Sequence, residues 1–157
     1  MVYSPKYFPV RDGDPAPLVA MAKRRVRFEE VDVLGMVWHG HYASFFEDGR
    51  IAFGDIYGLT YQTYRDNNVM APVVQMHLDY KIPLRFDEEI TIETALHWAE
   101  TARMNFSYLI YNGQGQLATS AYTVQLLTDP QGTLQLYTPD WLVEFKERWR
   151  QGAWPKP

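Results

Sequence analysis

Apolar and polar residues recur along this chain with two different periods, and the change from one to the other outlines its elements. From about Gly40 to Tyr57 the apolar and small residues Tyr42, Phe45, Phe46, Gly49, Phe53 and Ile56 return at helical spacing, with Glu47, Asp48, Arg50 and Asp55 between them. This predicts an amphipathic helix of about five turns. Gly49 lies on the apolar stripe, where it costs up to about 1 kcal/mol relative to alanine, so another backbone is expected close to it.

After a polar connector from Thr60 to Asn68 the period falls to two. Val74, Met76, Leu78, Tyr80 and Ile82 take one face and Gln75, His77, Asp79 and Lys81 the other, which predicts a strand. Two long strands follow, the first carrying Ile90, Ile92, Thr94, Leu96 and Trp98 on one face. The second carries Met104, Phe106, Tyr108 and Ile110 after a break at Glu100 to Ala102. The turn Asn112-Gly-Gln-Gly115 leads to a strand from Gln116 to Leu127, and Asp129-Pro-Gln-Gly132 leads to a short strand from Thr133 to Tyr137. The order is that of a hairpin meander, hence antiparallel. Thr138 as N-cap and Pro139 at the first helical position then open a short helix, with Trp141, Leu142, Phe145 and Trp149 on one face up to Gly152.

With a first strand at about Lys23 to Phe28, these elements make an α+β domain. An antiparallel sheet of about five to six strands can curl around the one long helix, with the short C-terminal helix following. The chain of 157 residues is long enough for one core and short for two. We divide it into an extended proline-containing arm over 1–22, the domain over 23–138, and a C-terminal helix and tail over 139–157.

Composition narrows the classes. Aromatics reach 15%, with 11 tyrosines and five tryptophans, as buried sheet faces or subunit interfaces would use. A net charge of −4 argues against a nucleic-acid module. No cysteine is present, which removes a thiol nucleophile and thiolate metal sites. No apolar run approaches a membrane span and the leader lacks a signal-peptide layout, so a cytoplasmic protein is expected.

The segment from Val31 to Glu47 carries the chemistry. Asp32 precedes a glycine turn at Gly35, and a helix starts just beyond at His39 and Gly40. A helix start presents unpaired N–H groups and partial positive charge, so it can polarise a carbonyl while a carboxylate acts on the carbonyl carbon. The same aspartate could instead serve only its own turn, by accepting backbone N–H bonds. Glu47 and Asp48, farther along the helix, are the runner-up carboxylates, although acids there are commonly solvated or paired, for instance Glu47 with Arg50. His39 and His41 form one pair and His77 and Asp79 another, without a third member at a zinc spacing, so no metal is expected. A serine hydrolase is disfavoured, because none of Ser4, Ser44, Ser107 and Ser120 sits in a Gly-x-Ser-x-Gly elbow. Lys81, Arg85 and Arg103 are candidates to pair with phosphates of an anionic carrier, and the run Lys23-Arg24-Arg25 is a competing patch.

The pattern Asp32-x-x-Gly35-x-Val37-x-His39-x-x-Tyr42, followed by Phe45-Phe46-Glu47 and Arg50, resembles the signature of the 4-hydroxybenzoyl-CoA thioesterase family, including its acyl-CoA thioesterase branch. The resemblance covers about Arg25 to Leu127 and implies the hot dog fold, homodimers or homotetramers, and active sites where two subunits meet. It implies that Asp32 is the catalytic carboxylate and that the helix start at His39 and Gly40 polarises the thioester carbonyl. Tyr42 is assigned to packing or the acyl pocket. Phe28 departs from the tyrosine common in the acyl-CoA branch.

The expected function is hydrolysis of an acyl-CoA thioester, or of an acyl carrier protein thioester, to a carboxylate and free thiol. Coenzyme A enters as part of the substrate and no further cofactor is expected. Two alternatives are an acyl-CoA hydratase or dehydratase on the same fold, and a non-catalytic acyl-CoA binding module.

Overall fold

The computed structural model describes residues 7–154. Its strands are β1 (Leu18–Arg25), β2 (Val73–Tyr80), β3 (Glu89–His97), β4 (Arg103–Tyr111) and β5 (Leu117–Leu126). Its helices are α1 (Tyr42–Tyr57), α2 (Tyr61–Asp66) and α3 (Asp140–Arg150). All strand pairs are antiparallel. The sheet wraps around α1 as the sequence predicts, with the hot dog arrangement of one long helix against one curled sheet.

The residues that line α1 follow from the register. Thr94 lies opposite Tyr108, and Tyr108 opposite Ala121, giving a row across the sheet under the helix. Phe46 stacks on Tyr108 with ring centroids 4.6 Å apart, and Phe53 meets Phe106 edge-on at 5.3 Å. The close approach expected at Gly49 is present: a Cβ there would collide with Thr94 Oγ1 and lie 2.9 Å from Ile92 Cγ2. The approach is to side chains of β3, however, and not to another backbone. Gly58 ends the helix at φ +77°, where its N–H bonds the Gly54 carbonyl.

Several expectations are corrected. The strand order is β1-β3-β4-β5-β2, so β3, β4 and β5 form a meander but β2 pairs across the sheet with β5. β1 begins at Leu18, within the segment expected to be an arm, and residues 1–6 of that arm lie outside the described residues. No strand spans Thr133 to Tyr137; that segment makes only an isolated bridge between Leu134 and Thr128. The connector after α1 contains α2, capped by Thr60, whose hydroxyl accepts from Thr63 N–H at 3.2 Å. On α1 the stripe ends at buried Tyr57, while Ile56 is exposed. For α3 the N-cap is Pro139, one residue later than expected.

β2 is an edge strand that is largely exposed: Val73, Val74 and Met76 are all more than two-fifths exposed, while Leu78 packs in part against the core. The arm crosses the opposite side of the sheet from α1. Tyr7 donates to Asp79 Oδ2 at 3.1 Å or to Ser120 Oγ at 2.9 Å, and Phe8 packs on His97 and Tyr122. Trp149 of α3 bonds the Ala16 carbonyl at 2.8 Å, which ties the C-terminal helix to the arm. No helix among the described residues is long and apolar enough to cross a membrane.

Candidate active site

Asp32 stands in a small hairpin that ends at the start of α1. Val31 bridges Val37, Asp32 N–H bonds the Met36 carbonyl at 2.8 Å, and Gly35 N–H returns to the Asp32 carbonyl at 3.0 Å. Gly35 has φ +74°, a conformation that glycine adopts without the steric penalty of a side chain. The segment after β2 backs this hairpin: Val37 N–H bonds the Leu84 carbonyl at 2.9 Å and Phe86 N–H the Gly35 carbonyl at 3.4 Å.

The two readings of Asp32 divide between its two oxygens. Oδ1 accepts from Leu34 N–H at 2.8 Å and Met36 N–H at 3.3 Å, which is the turn-supporting role. Oδ2 has no hydrogen-bond partner among the described residues. The carboxylate is therefore oriented by one oxygen while the other stays open, with exposed Val33 and Leu34 beside it.

The chain then passes through a 3-10 turn at His39–His41 into α1. Backbone N–H groups at such a start lack intrahelical acceptors, and no described backbone carbonyl takes those of His39 and Gly40. At Gly40 the Trp38 ring lies where a Cβ would stand, so a side chain there would require the half-exposed ring to move. From β2, the Tyr80 hydroxyl donates to the His39 carbonyl at 2.8 Å, and its ring meets Tyr42 edge-on at 4.9 Å. Tyr42 is buried, and desolvation pushes its phenol above the usual range, as fits a packing role.

The other candidates fall elsewhere. Glu47 is exposed and forms no ion pair with Arg50 among the described residues; Arg50 lies over the Phe106 ring at 4.8 Å. Asp48 accepts from Arg24 Nη1 at 2.6 Å, and Arg24 Nη2 binds Glu30, so one guanidinium spans two carboxylates. Sequence reasoning missed Glu30: in Phe28-Glu29-Glu30 it reads as a solvated acid, yet it is 6% exposed. Lys81 and Arg85 lie near the hairpin, Arg85 through a bridge to Met36. Arg103 does not join them. Lys81 bonds beside Ala118 at one end of β5 and Arg103 pairs with Leu126 at the other, a separation of about 26 Å at strand rise.

His77 Nε2 lies 3.2 Å from Asp79 Oδ1, and Tyr7 also reaches Asp79, so this pair is engaged in holding the arm. Among the described residues no three His, Cys, Asp or Glu side chains gather into a metal-binding group.

Known proteins carry the same architecture. A family model described as the thioesterase-like superfamily matches residues 26–146. A putative acyl-CoA thioesterase, YneP of Bacillus subtilis, is 27% identical over 133 residues, covering 82% of this chain and 96% of that protein. The acyl-CoA thioester hydrolase YbgC of Escherichia coli is 27% identical over 124 residues, covering 78% and 92%. Among solved structures, a DHNA-CoA thioesterase from Staphylococcus aureus superposes with a TM-score of 0.76 at 23% identity, covering 86% of this chain and 93% of that one. With a family match over most of its length and the fold to go with it, the chain belongs to the thioesterase-like superfamily.

Proposed function

We propose that the protein hydrolyses an acyl-CoA thioester to a carboxylic acid and free coenzyme A. The observation that carries this reading is the half-engaged carboxylate: Asp32 Oδ1 is fixed by its own turn while Oδ2 is open, beside a helix start with free N–H groups. In a nucleophilic route Oδ2 attacks the thioester carbon, the carbonyl oxygen becomes an oxyanion held by the His39 and Gly40 N–H groups, and the thiolate leaves. Water then cleaves the Asp32 anhydride and restores the carboxylate. In a general-base route Oδ2 takes a proton from the attacking water instead. The chemistry needs no cofactor, and acyl carrier protein is the alternative carrier. The relatives named acyl-CoA thioesterase support the coenzyme A form.

A second copy of the chain completes the assembly in this reading. β2 leaves an unpaired edge with apolar Val73, Val74 and Met76 exposed, and self-pairing about a two-fold axis would cover it. A homodimer is the minimal unit, with homotetramers built by stacking two.

Asp32→Asn tests the mechanism, because its amide oxygen can still accept from Leu34 and Met36. We expect thiol release from acyl-CoA to fall at least about 100-fold with the fold intact. A folded Asp32→Asn variant with near-normal turnover overturns the assignment and brings Glu47 forward. Hydration of an enoyl-CoA without thiol release would favour the hydratase reading, and tight acyl-CoA binding without turnover the binding module.

A further inference from the structure

The arm before β1 is held at two places. Next to β1, Trp149 donates to the Ala16 carbonyl, and farther out Phe8 packs on His97 and Tyr122 while Tyr7 reaches β2. Between those points the arm crosses the outer face of the sheet from β3 to β2, three strand spacings or about 14 Å. Tyr7 meets one cross-strand pair there. Asp79 of β2 lies opposite Ser120 of β5, and the Tyr7 hydroxyl is 3.1 Å from Asp79 Oδ2 and 2.9 Å from Ser120 Oγ. The next residue along β2 is Tyr80, which by alternation takes the other face, where it donates to the His39 carbonyl at 2.8 Å. We propose that Tyr7 is a positioning residue for thioester hydrolysis: by clamping Asp79 to Ser120 it holds Tyr80, and through Tyr80 the helix start that faces the thioester carbonyl.

Three features fit that role. β2 is an edge strand whose ladder among the described residues is to β5 alone, so its placement depends on that ladder and on what grips its faces. Beyond Tyr80 the Lys81 and Ile82 N–H groups both bond the Ala118 carbonyl, and the clamp at Asp79 completes a bracket about Tyr80. Second, one hydroxyl can serve both strands. Its proton goes to the carboxylate as a charge-assisted bond, which leaves the phenol oxygen to accept from the Ser120 hydroxyl. The Tyr7 bond holds the Asp79 carboxyl below its usual range, so the acceptor is charged at neutral pH. Third, the other carboxylate oxygen is engaged as well: His77 Nε2 lies 3.2 Å from Asp79 Oδ1, and the His77 ring stacks on Tyr122 at 5.5 Å.

A role in covering the sheet accounts for the ring contacts of Phe8, but it does not call for a hydroxyl at the cross-strand pair beside Tyr80. Tyr7 also lies ahead of residues 26–146, which match the family model, so the clamp is added to the domain from outside the matched segment.

The proposal rests on the thioesterase reading, and the experiment separates the two. kcat and KM for an acyl-CoA are measured in the full chain, Tyr7→Phe, Tyr80→Phe, Tyr7→Phe/Tyr80→Phe and Gln75→Ala. Tyr7→Phe keeps the ring on Tyr122 and removes the clamp, and is expected to lower kcat about threefold with KM unchanged. The double variant is expected to be no slower than Tyr80→Phe alone, since both changes break one chain of contacts. Gln75→Ala removes a different tie between β2 and β5, the 2.7 Å bond to the Tyr122 hydroxyl, about 17 Å along the strand from Tyr80, and is expected to keep the parent kcat. A Tyr7→Phe kcat equal to the parent's, losses that multiply in the double variant, or an equal loss in Gln75→Ala overturns the proposal. If the full chain cleaves no thioester, the hydrolase reading fails by itself and amide hydrogen exchange decides the clamp. Faster exchange over residues 39–42 and 78–82 in Tyr7→Phe, with β3 and β4 unchanged, supports it; unchanged or uniformly faster exchange overturns it.

Discussion

The Tyr80 hydroxyl donates to the His39 carbonyl across 2.8 Å, tying the edge strand β2 to the start of α1. Through this bond the strand expected to meet a second subunit also positions the N–H groups expected to hold the oxyanion. Tyr80→Phe removes the bond and keeps the ring against Tyr42. Because Tyr80 is exposed, stability should fall by no more than about 1 kcal/mol, while kcat for thioester hydrolysis should fall several-fold through loosened positioning. Equal kcat in variant and parent would show that the tie is structural only.

Arg24 is expected to matter for stability more than any surface cation. It joins buried Glu30 to Asp48, and Glu30 also accepts from Arg27 N–H at 2.8 Å. Arg24→Gln leaves a carboxylate in the interior without its counter-charge and should cost about 3 kcal/mol in urea unfolding. Adding Glu30→Gln to that variant removes the stranded charge and should recover part of the loss. Additive losses would mean that the two residues act independently.

Gly49→Ala places a methyl group against Thr94 Oγ1 and Ile92 Cγ2. The gain in helix propensity of about 1 kcal/mol is opposed by overpacking of about 1–3 kcal/mol, so a net loss is expected. Thr94→Ala in the same chain clears the space, and Thr94 Oγ1 is a buried hydroxyl with no hydrogen-bond partner among the described residues. The double variant should therefore melt above Gly49→Ala alone.

Burial beneath Phe8 pushes the His97 imidazole from its ordinary value of 6.5 down to about 4, and its Nε2 lies 2.7 Å from Ser107 Oγ. The unfolded chain therefore binds a proton at His97 between pH 6.5 and about 4 that the folded chain does not. Stability falls as pH drops through that window, by about 2 kcal/mol after allowance for partial exposure. His97→Gln should flatten that part of the stability profile in urea titrations at pH 7, 5.5 and 4.5. An unchanged slope would assign the acid sensitivity to other groups.

The legible part of this protein was local. The helix stripe from Tyr42 to Phe53 and the alternating strands β3, β4 and β5 carry their own periods, because each face repeats its contact with one core. The turn at Asp32 was readable as well, since Gly35 and the following helix start lie within ten residues of it. Thr133 to Tyr137 failed because alternation describes a strand only where a neighbour supplies the ladder, and among the described residues the pairing there amounts to one bridge, Leu134 with Thr128, held by bonds to Leu127 and Asp129.

By itself the sequence determined the long helix, the strands β2 to β5, the C-terminal helix and which carboxylate stands before a helix start, because these depend on spacing along the chain, whereas α2 and the true extent of β1 were not legible in it. Only the tertiary structure decided that β2 crosses to pair with β5 and becomes an open edge, since alternation names a buried face but not the neighbour that buries it. It also decided that Arg24 serves Glu30 and Asp48, that Arg103 lies far from Lys81, and that one oxygen of Asp32 is held while the other is open. Those are relations between side chains distant in sequence or directions within one carboxylate, and packing sets both.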